Sequence, residues 1–159
     1  MGINNFDLIF DRTQSDVNYA LELERNGVYT DENLKGAYNF ADRNRVASAL
    51  NFLMDALHHA GYQHMGRVNS GFKEGDIIYA GDNHAVIDYF REAERVLPRI
   101  SVEIPDNLDY LDYRKANAVE RILFDMFENY DFLADTWLYC GEGYMGGFFE
   151  EHKFDDCWG

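Results

Sequence analysis

Between Tyr113 and Tyr139 the apolar residues Val119, Ile122, Leu123, Met126, Phe127, Tyr130, Leu133 and Trp137 recur every three or four positions. That is the period of one wide helical face. The other face reads Glu120, Arg121, Asp125, Glu128, Asp131 and Asp135. Gly141 and Gly143 follow, and glycine is a natural helix stop because it reaches left-handed backbone angles without steric cost. The spacing predicts a long amphipathic helix, capped at its start by Asp109 or Asp112.

A second stripe, Val46, Leu50, Leu53 and Leu57, widened by Ala49, Met54 and Ala56, predicts a helix from about Phe40 to His59. Asn39 is its expected N-cap, and Asp42 adds a negative charge in the first turn, favourable against the helix dipole. Two shorter helices are expected. One starts after Thr13 or Ser15, carries Val17, Ala20, Leu21 and Glu24, and stops near Gly27. The other starts at Asp82 or Asn83, carries Val86, Tyr89, Phe90, Ala93 and Leu97, and ends at Pro98. Glycines at 66, 71, 75 and 81 mark a loop between Met65 and Gly81, with room for a short extended piece at Ile77-Ile78-Tyr79. Ser101 to Asp109 is a further connection. The expectation is a mainly α fold: a small bundle of about four helices with irregular loops, packed by their apolar faces. Residues 1–147 form one domain, and 148–159 form an aromatic, acidic tail.

Composition narrows the function classes. The chain has 159 residues, 47% of them hydrophobic, which suits one globular domain. Its 14 Lys+Arg stand against 29 Asp+Glu, a formal charge of −15. Nucleic-acid binding depends on cations that neutralise phosphates, so direct contact with DNA or RNA is not expected. The start, Met1-Gly2-Ile3-Asn4-Asn5-Phe6, has no basic or apolar run of a signal peptide, and no apolar stretch approaches the ~20 residues of a membrane span. Cys140 and Cys157 read as free thiols in a reducing compartment, and a pairing of the two would tie down the tail.

No chemical motif rises above this background. His58 and His59 are adjacent and point about 100° apart on a helix, so they do not form the i, i+4 pair of a metalloprotease. They suit a helix C-terminus, where the dipole favours positive charge. The run Asp106 to Asp112 lacks the alternating ligands, glycine and distal Glu of a calcium loop. Ser15, Ser48, Ser70 and Ser101 lack a nucleophile elbow, and the glycine loop lacks the Lys-Ser/Thr of a phosphate cradle. The mixed ligand types Glu150, Glu151, His152, Asp155, Asp156 and Cys157 match no metal spacing. No enzyme activity, cofactor or metal is expected. Aromatics make up 16% of the chain, and tyrosine and tryptophan are enriched at interfaces.

Four blocks carry a resemblance. They are Asp11-Arg12-Thr13-Gln14-Ser15-Asp16-Val17; then Leu34-Lys35-Gly36-Ala37-Tyr38-Asn39 with Asp42-Arg43-Asn44-Arg45-Val46; then Ala116-Asn117-Ala118-Val119-Glu120-Arg121-Ile122-Leu123; and last Trp137-Leu138-Tyr139-Cys140-Gly141-Glu142-Gly143-Tyr144. In this order they resemble small helical proteins encoded with tail and other virion genes in phages and prophages of Gram-positive bacteria. The resemblance spans about residues 8 to 147. It departs at Cys140, where Ser is usual, and at Met145-Gly146-Gly147.

The resemblance implies a non-enzymatic structural or tail-associated assembly protein, located in the virion or the host cytoplasm. Its partners would be other virion or tail proteins, or itself, with no direct nucleic acid and no membrane. It supplies no catalytic residue. Trp137, Tyr139, Tyr144, Phe148, Phe149 and Trp158 are the candidate protein-interaction residues, because they can bury ring area. Gly36 is expected to set the start of the second helix by backbone flexibility. Arg12 and Arg45 are expected to pair with nearby acids and fix neighbouring helices, although exposed pairs are worth only ~0–1 kcal/mol. The competing reading is an acidic effector or nucleic-acid mimic that occupies a basic protein surface.

Overall fold

The computed structural model describes residues 6–28, 34–63 and 66–140, with side chains as far as 136. The elements are α1 (Gln14–Arg25), α2 (Phe40–His59), α3 (Ala80–Glu94) and α4 (Tyr113–Cys140). Among the described residues there is no strand, so the fold is mainly α.

Helix starts follow the capping chemistry of the sequence. At α1 the cap is Thr13, not Ser15: its Oγ1 accepts from the Asp16 amide at 3.3 Å, and Asp16 Oδ2 accepts from the Thr13 amide at 2.7 Å. This reciprocal box satisfies two donors that a helix N-terminus leaves open. Asn39 and Asp42 form the same box at α2, with the Asn39 amide donating to Asp42 Oδ2 at 3.0 Å. Asp112 caps α4, accepting from the Lys115 amide at 2.8 Å. At α3 the expected start is too late. The helix begins at Ala80, and Asp82 lies inside its first turn, where its carboxylate reaches back to the Tyr79 amide at 3.0 Å. Ile77, Ile78 and Tyr79 make no strand and are exposed.

α2 lies against both α3 and α4. Leu50 and Leu53 of α2, Val86 and Phe90 of α3, and Ile122, Leu123 and Met126 of α4 are all fully buried. Fully burying such a side chain contributes about 1.5–3 kcal/mol, so these residues dominate the fold. Phe6 adds an aromatic wedge, its ring 5.6 Å from Phe52 and 5.7 Å from Phe127. α1 departs from the expectation of uniform packing. None of its residues is buried, and Tyr19 and Leu21 are exposed.

Extended connectors are tied to the helices by side-chain amides. The Asn51 amide group donates to the Val68 carbonyl and its oxygen accepts from the Val68 amide, both at 2.9 Å. Asn44 does the same for Phe72, at 2.7 and 2.9 Å. On α4, Asn117 clasps the backbone of Arg12, and Asn129 holds the Arg99 carbonyl at 2.8 Å. Backbone polar groups that leave water need partners. An asparagine carries one donor group and one acceptor on a short stem, so it supplies both where no strand is present. Among the described residues no helix is long and apolar enough to cross a membrane.

Candidate functional site

The polar residues of the first three sequence blocks meet between the segment before α1, the start of α2 and the first half of α4. Arg12 is the hub. Its Nη2 donates to Asp42 Oδ1 at 2.9 Å and to Glu120 Oε1 at 2.8 Å. Its Nε donates to the Lys35 carbonyl at 3.1 Å, and its Nη1 to the Ile9 carbonyl. Arg45 closes the network. Its Nε donates to Glu120 Oε2 at 3.2 Å, and its Nη2 to Glu120 Oε1 at 3.0 Å and to Asp42 Oδ1. The Ile9 amide fills Glu120 Oε2 at 2.6 Å. Glu120 therefore accepts two bonds on each oxygen.

Burial distinguishes this group from surface ion pairs. Glu120 is 0% exposed, Arg12 4% and Asp42 5%. Two guanidinium and two carboxylate charges cancel, and the pairs satisfy each other's hydrogen bonds, as buried charge requires. Arg12 and Arg45 thus pair with acids and join neighbouring helices as expected, but burial takes the pairs out of the weak range of exposed ones. The placement of Glu120 and Asp125 on the polar face of the long helix is corrected, since both are buried. Burial opposes the charge of Arg45, but bonding and attraction to Glu120, and then to Asp42, outweigh it and raise its pKa.

Two neighbours complete the site. The Arg12 guanidinium lies over the Tyr38 ring, 5.6 Å from its centre. Desolvation pushes the Tyr38 phenol well above its usual range, with attraction to Arg43 acting the other way. Gly36 sits directly against the first turn of α1. A Cβ there would fall 1.9 Å from the Asp16 carbonyl oxygen and 2.7 Å from the Val17 nitrogen. The requirement at Gly36 is close backbone approach, not the flexibility expected of it. Lys35 beside it reaches Asp11 at 2.8 Å on the surface.

Arg43, in the same block, points elsewhere. It is 2% exposed, its Nη2 donates to the Asp82 carbonyl at 2.8 Å, and its guanidinium lies 6.0 Å from the centre of the Phe72 ring. Burial lowers its pKa, and nearby Tyr38 and Asp82 oppose that shift. It joins α2 to α3 where Arg12 joins α2 to α4.

The arrangement is a fastening. Its charged groups are engaged with one another, which leaves their protons and lone pairs committed. A shallow concavity of about 450 Å³ lies further along α4, lined by Arg99, Ile100, Ser101, Asp125, Glu128, Asn129 and Phe132. There too the buried polar groups hold the fold: Asp125 accepts from Ser101 and from Arg121, and Asn129 donates to the Arg99 carbonyl.

Of the expected interaction residues, Trp137 and Tyr139 belong to the last turns of α4, and their side chains lie outside the described residues. Tyr144, Phe148, Phe149 and Trp158 also lie outside the described residues, as does the metal-capable tail. His58 and His59 occupy the last turn of α2, as the sequence predicts. Among the described residues no group of three or more His, Cys, Asp or Glu side chains is placed to hold a metal ion. Sequence reasoning missed Glu120 as the centre of the network, although its place in the series Ala116, Glu120, Leu123, Phe127 puts it on the apolar stripe. No family model, curated protein or solved structure matches this chain.

Proposed function

We propose that this chain is a non-enzymatic structural or tail-associated protein of a phage particle, acting by assembly with other virion proteins or with itself. The observation that supports this reading is the convergence of Arg12, Asp42, Arg45, Asn117 and Glu120. These residues come from the first three blocks of the resemblance, and all of them are spent on holding helices together. A sequence pattern whose polar members fasten a scaffold suits a protein that presents a surface. The fourth block begins in the last residues of α4, Trp137–Cys140, and its remainder lies outside the described residues.

The experiment is direct. Particles induced from a lysogen that carries the gene are banded by density and digested for mass spectrometry. The reading expects peptides of this chain in stoichiometric amount with tail proteins. Their absence from particles that assemble normally would refute it.

A further inference from the structure

We infer that Arg43 is the seat of a bound monovalent anion of the halide class, held between the first turns of α2 and α3. Arg43 is 2% exposed, and its Nε and Nη1 are buried without a hydrogen-bond partner. Its Nη2 donates to the Asp82 carbonyl, a neutral acceptor. The other buried charges among the described residues are paired: Arg12 with Asp42 and Glu120, and Asp125 with Arg121. Arg43 alone among them has no opposite charge within ion-pair distance. An unpaired buried guanidinium is costly, and orphaned buried donors in a native fold call for an ion or a water. A water fills donors without cancelling charge, whereas an anion does both.

The surroundings do not supply the missing charge. Asp82 attracts Arg43 through space, but its carboxylate is bound to the Tyr79 amide at 3.0 Å. Asp42, the preceding residue of α2, is taken up by Arg12 and Arg45. Tyr38 lies close as well, yet desolvation keeps its phenol protonated. The Phe72 ring, its centre 6.0 Å from the guanidinium, offers only a π face. Burial outweighs the attraction of Tyr38 and Asp82 and lowers the Arg43 pKa.

Two helix starts add to the same field. Arg43 closes the first turn of α2, its amide donating to the Asn39 carbonyl at 3.1 Å. Its guanidinium meets the first turn of α3 at Asp82. A helix N-terminus carries about half a positive charge, which repels a cation and attracts an anion. Enclosure and donors then choose the ion. A phosphate or sulfate brings several strongly hydrated oxygens, more than the free N–H groups of one guanidinium can satisfy. A halide needs few donors, and its single charge matches that of Arg43. Nε and Nη1 face different edges of the guanidinium, so one ion meets one of them and a water serves the other.

The test unfolds the full chain by heat in sodium chloride and in sodium gluconate at equal ionic strength. The bulky gluconate is the control, because any salt screens the self-repulsion of a chain at −15. Chloride is expected to raise the Tm above gluconate along a saturable curve, by about 2 °C or more at the plateau, and bromide to do the same. Arg43→Met removes the charge and keeps the length. Its Tm should be the same in both salts and, in gluconate, no lower than that of the unsubstituted chain, since no buried charge is left unpaired. Crystals of the unsubstituted chain grown in bromide decide the matter even if Arg43→Met does not fold. An anomalous peak in contact with the Arg43 guanidinium supports the inference, and water alone at that position overturns it. An equal response of the unsubstituted chain to both salts, or a chloride response retained by Arg43→Met, would overturn it as well.

Discussion

Glu120, fully buried in α4, receives the Arg12 guanidinium at 2.8 Å from 108 residues earlier in the chain. Arg45 of α2 binds the same carboxylate, at 3.0 and 3.2 Å. A charge this deep is tolerated only because each partner neutralises and hydrogen-bonds the other. The pairing explains how α1, which has no buried residue of its own, remains attached. The segment before it is plugged into the helical body through Arg12, and its backbone is clasped by Asn117 at 3.0 and 2.9 Å.

Gly36→Ala should be the most damaging of the small glycine substitutions. The added methyl meets the backbone of Asp16, which cannot rotate away as a side chain can. A loss of about 1–3 kcal/mol is expected, the range for forcing extra volume into a packed contact. Gly81→Ala is the control. It lies in the first turn of α3 with open space around it, and alanine is the better helix former, so stability should hold or rise by about 0.5–1 kcal/mol. Urea unfolding of both variants checks the contrast.

Asn51→Ala should loosen the loop that follows α2. It removes both bonds to Val68 and leaves a buried backbone donor and acceptor unpaired, a penalty of about 1–3 kcal/mol for such a group. Amide exchange at Val68 should accelerate more than exchange in the middle of α4. Equal change everywhere would mean that Asn51 acts on global stability without a local hold on the loop.

Two titrations should report on the ends of the pH range. The Asp16 pKa is lowered by the hydrogen bond from the Thr13 side chain first, and by the Thr13 amide next. A depressed carboxylate pKa means that the α1 cap is fully formed above the usual Asp range and is lost as pH falls through the folded value. The Thr13 amide resonance should follow that loss. At the alkaline end, burial raises Tyr38 above the ordinary phenol value of 10.0, and burial also raises Tyr130. A raised phenol pKa contributes stability that is fully present below the unfolded value and is lost as pH rises toward the folded one. Ultraviolet titration should show Tyr38 ionising only as the chain opens. Ionisation of Tyr38 in the ordinary phenol range, with the chain still folded, would contradict its desolvation.

The helices were legible because periodicity and capping are local. The 3–4 spacing of α2 and α4, the cap at Asn39 and the choice of Thr13 or Ser15 as the α1 cap need no knowledge of the rest of the chain. The connectors were less legible. Asn44, Asn51, Asn117 and Asn129 read as ordinary polar helix positions, because their partners are backbone groups of distant segments. Glu120 left a signal, an acid on the apolar stripe, but spacing alone does not tell a buried pair from a solvated charge. Gly36 left none beyond its identity, since close approach of α1 is a tertiary fact. Its reading as a flexible start failed for that reason.

A double-mutant cycle between Arg12 and Glu120 tests the fastening most directly. Arg12→Met and Glu120→Gln are measured singly and together by urea unfolding. Each single change should cost about 3–5 kcal/mol, because it strands buried charge, with a coupling of at least ~1.5 kcal/mol in the double variant. Two small and additive losses, each below ~1 kcal/mol, would contradict the account, since that is how exposed surface pairs behave.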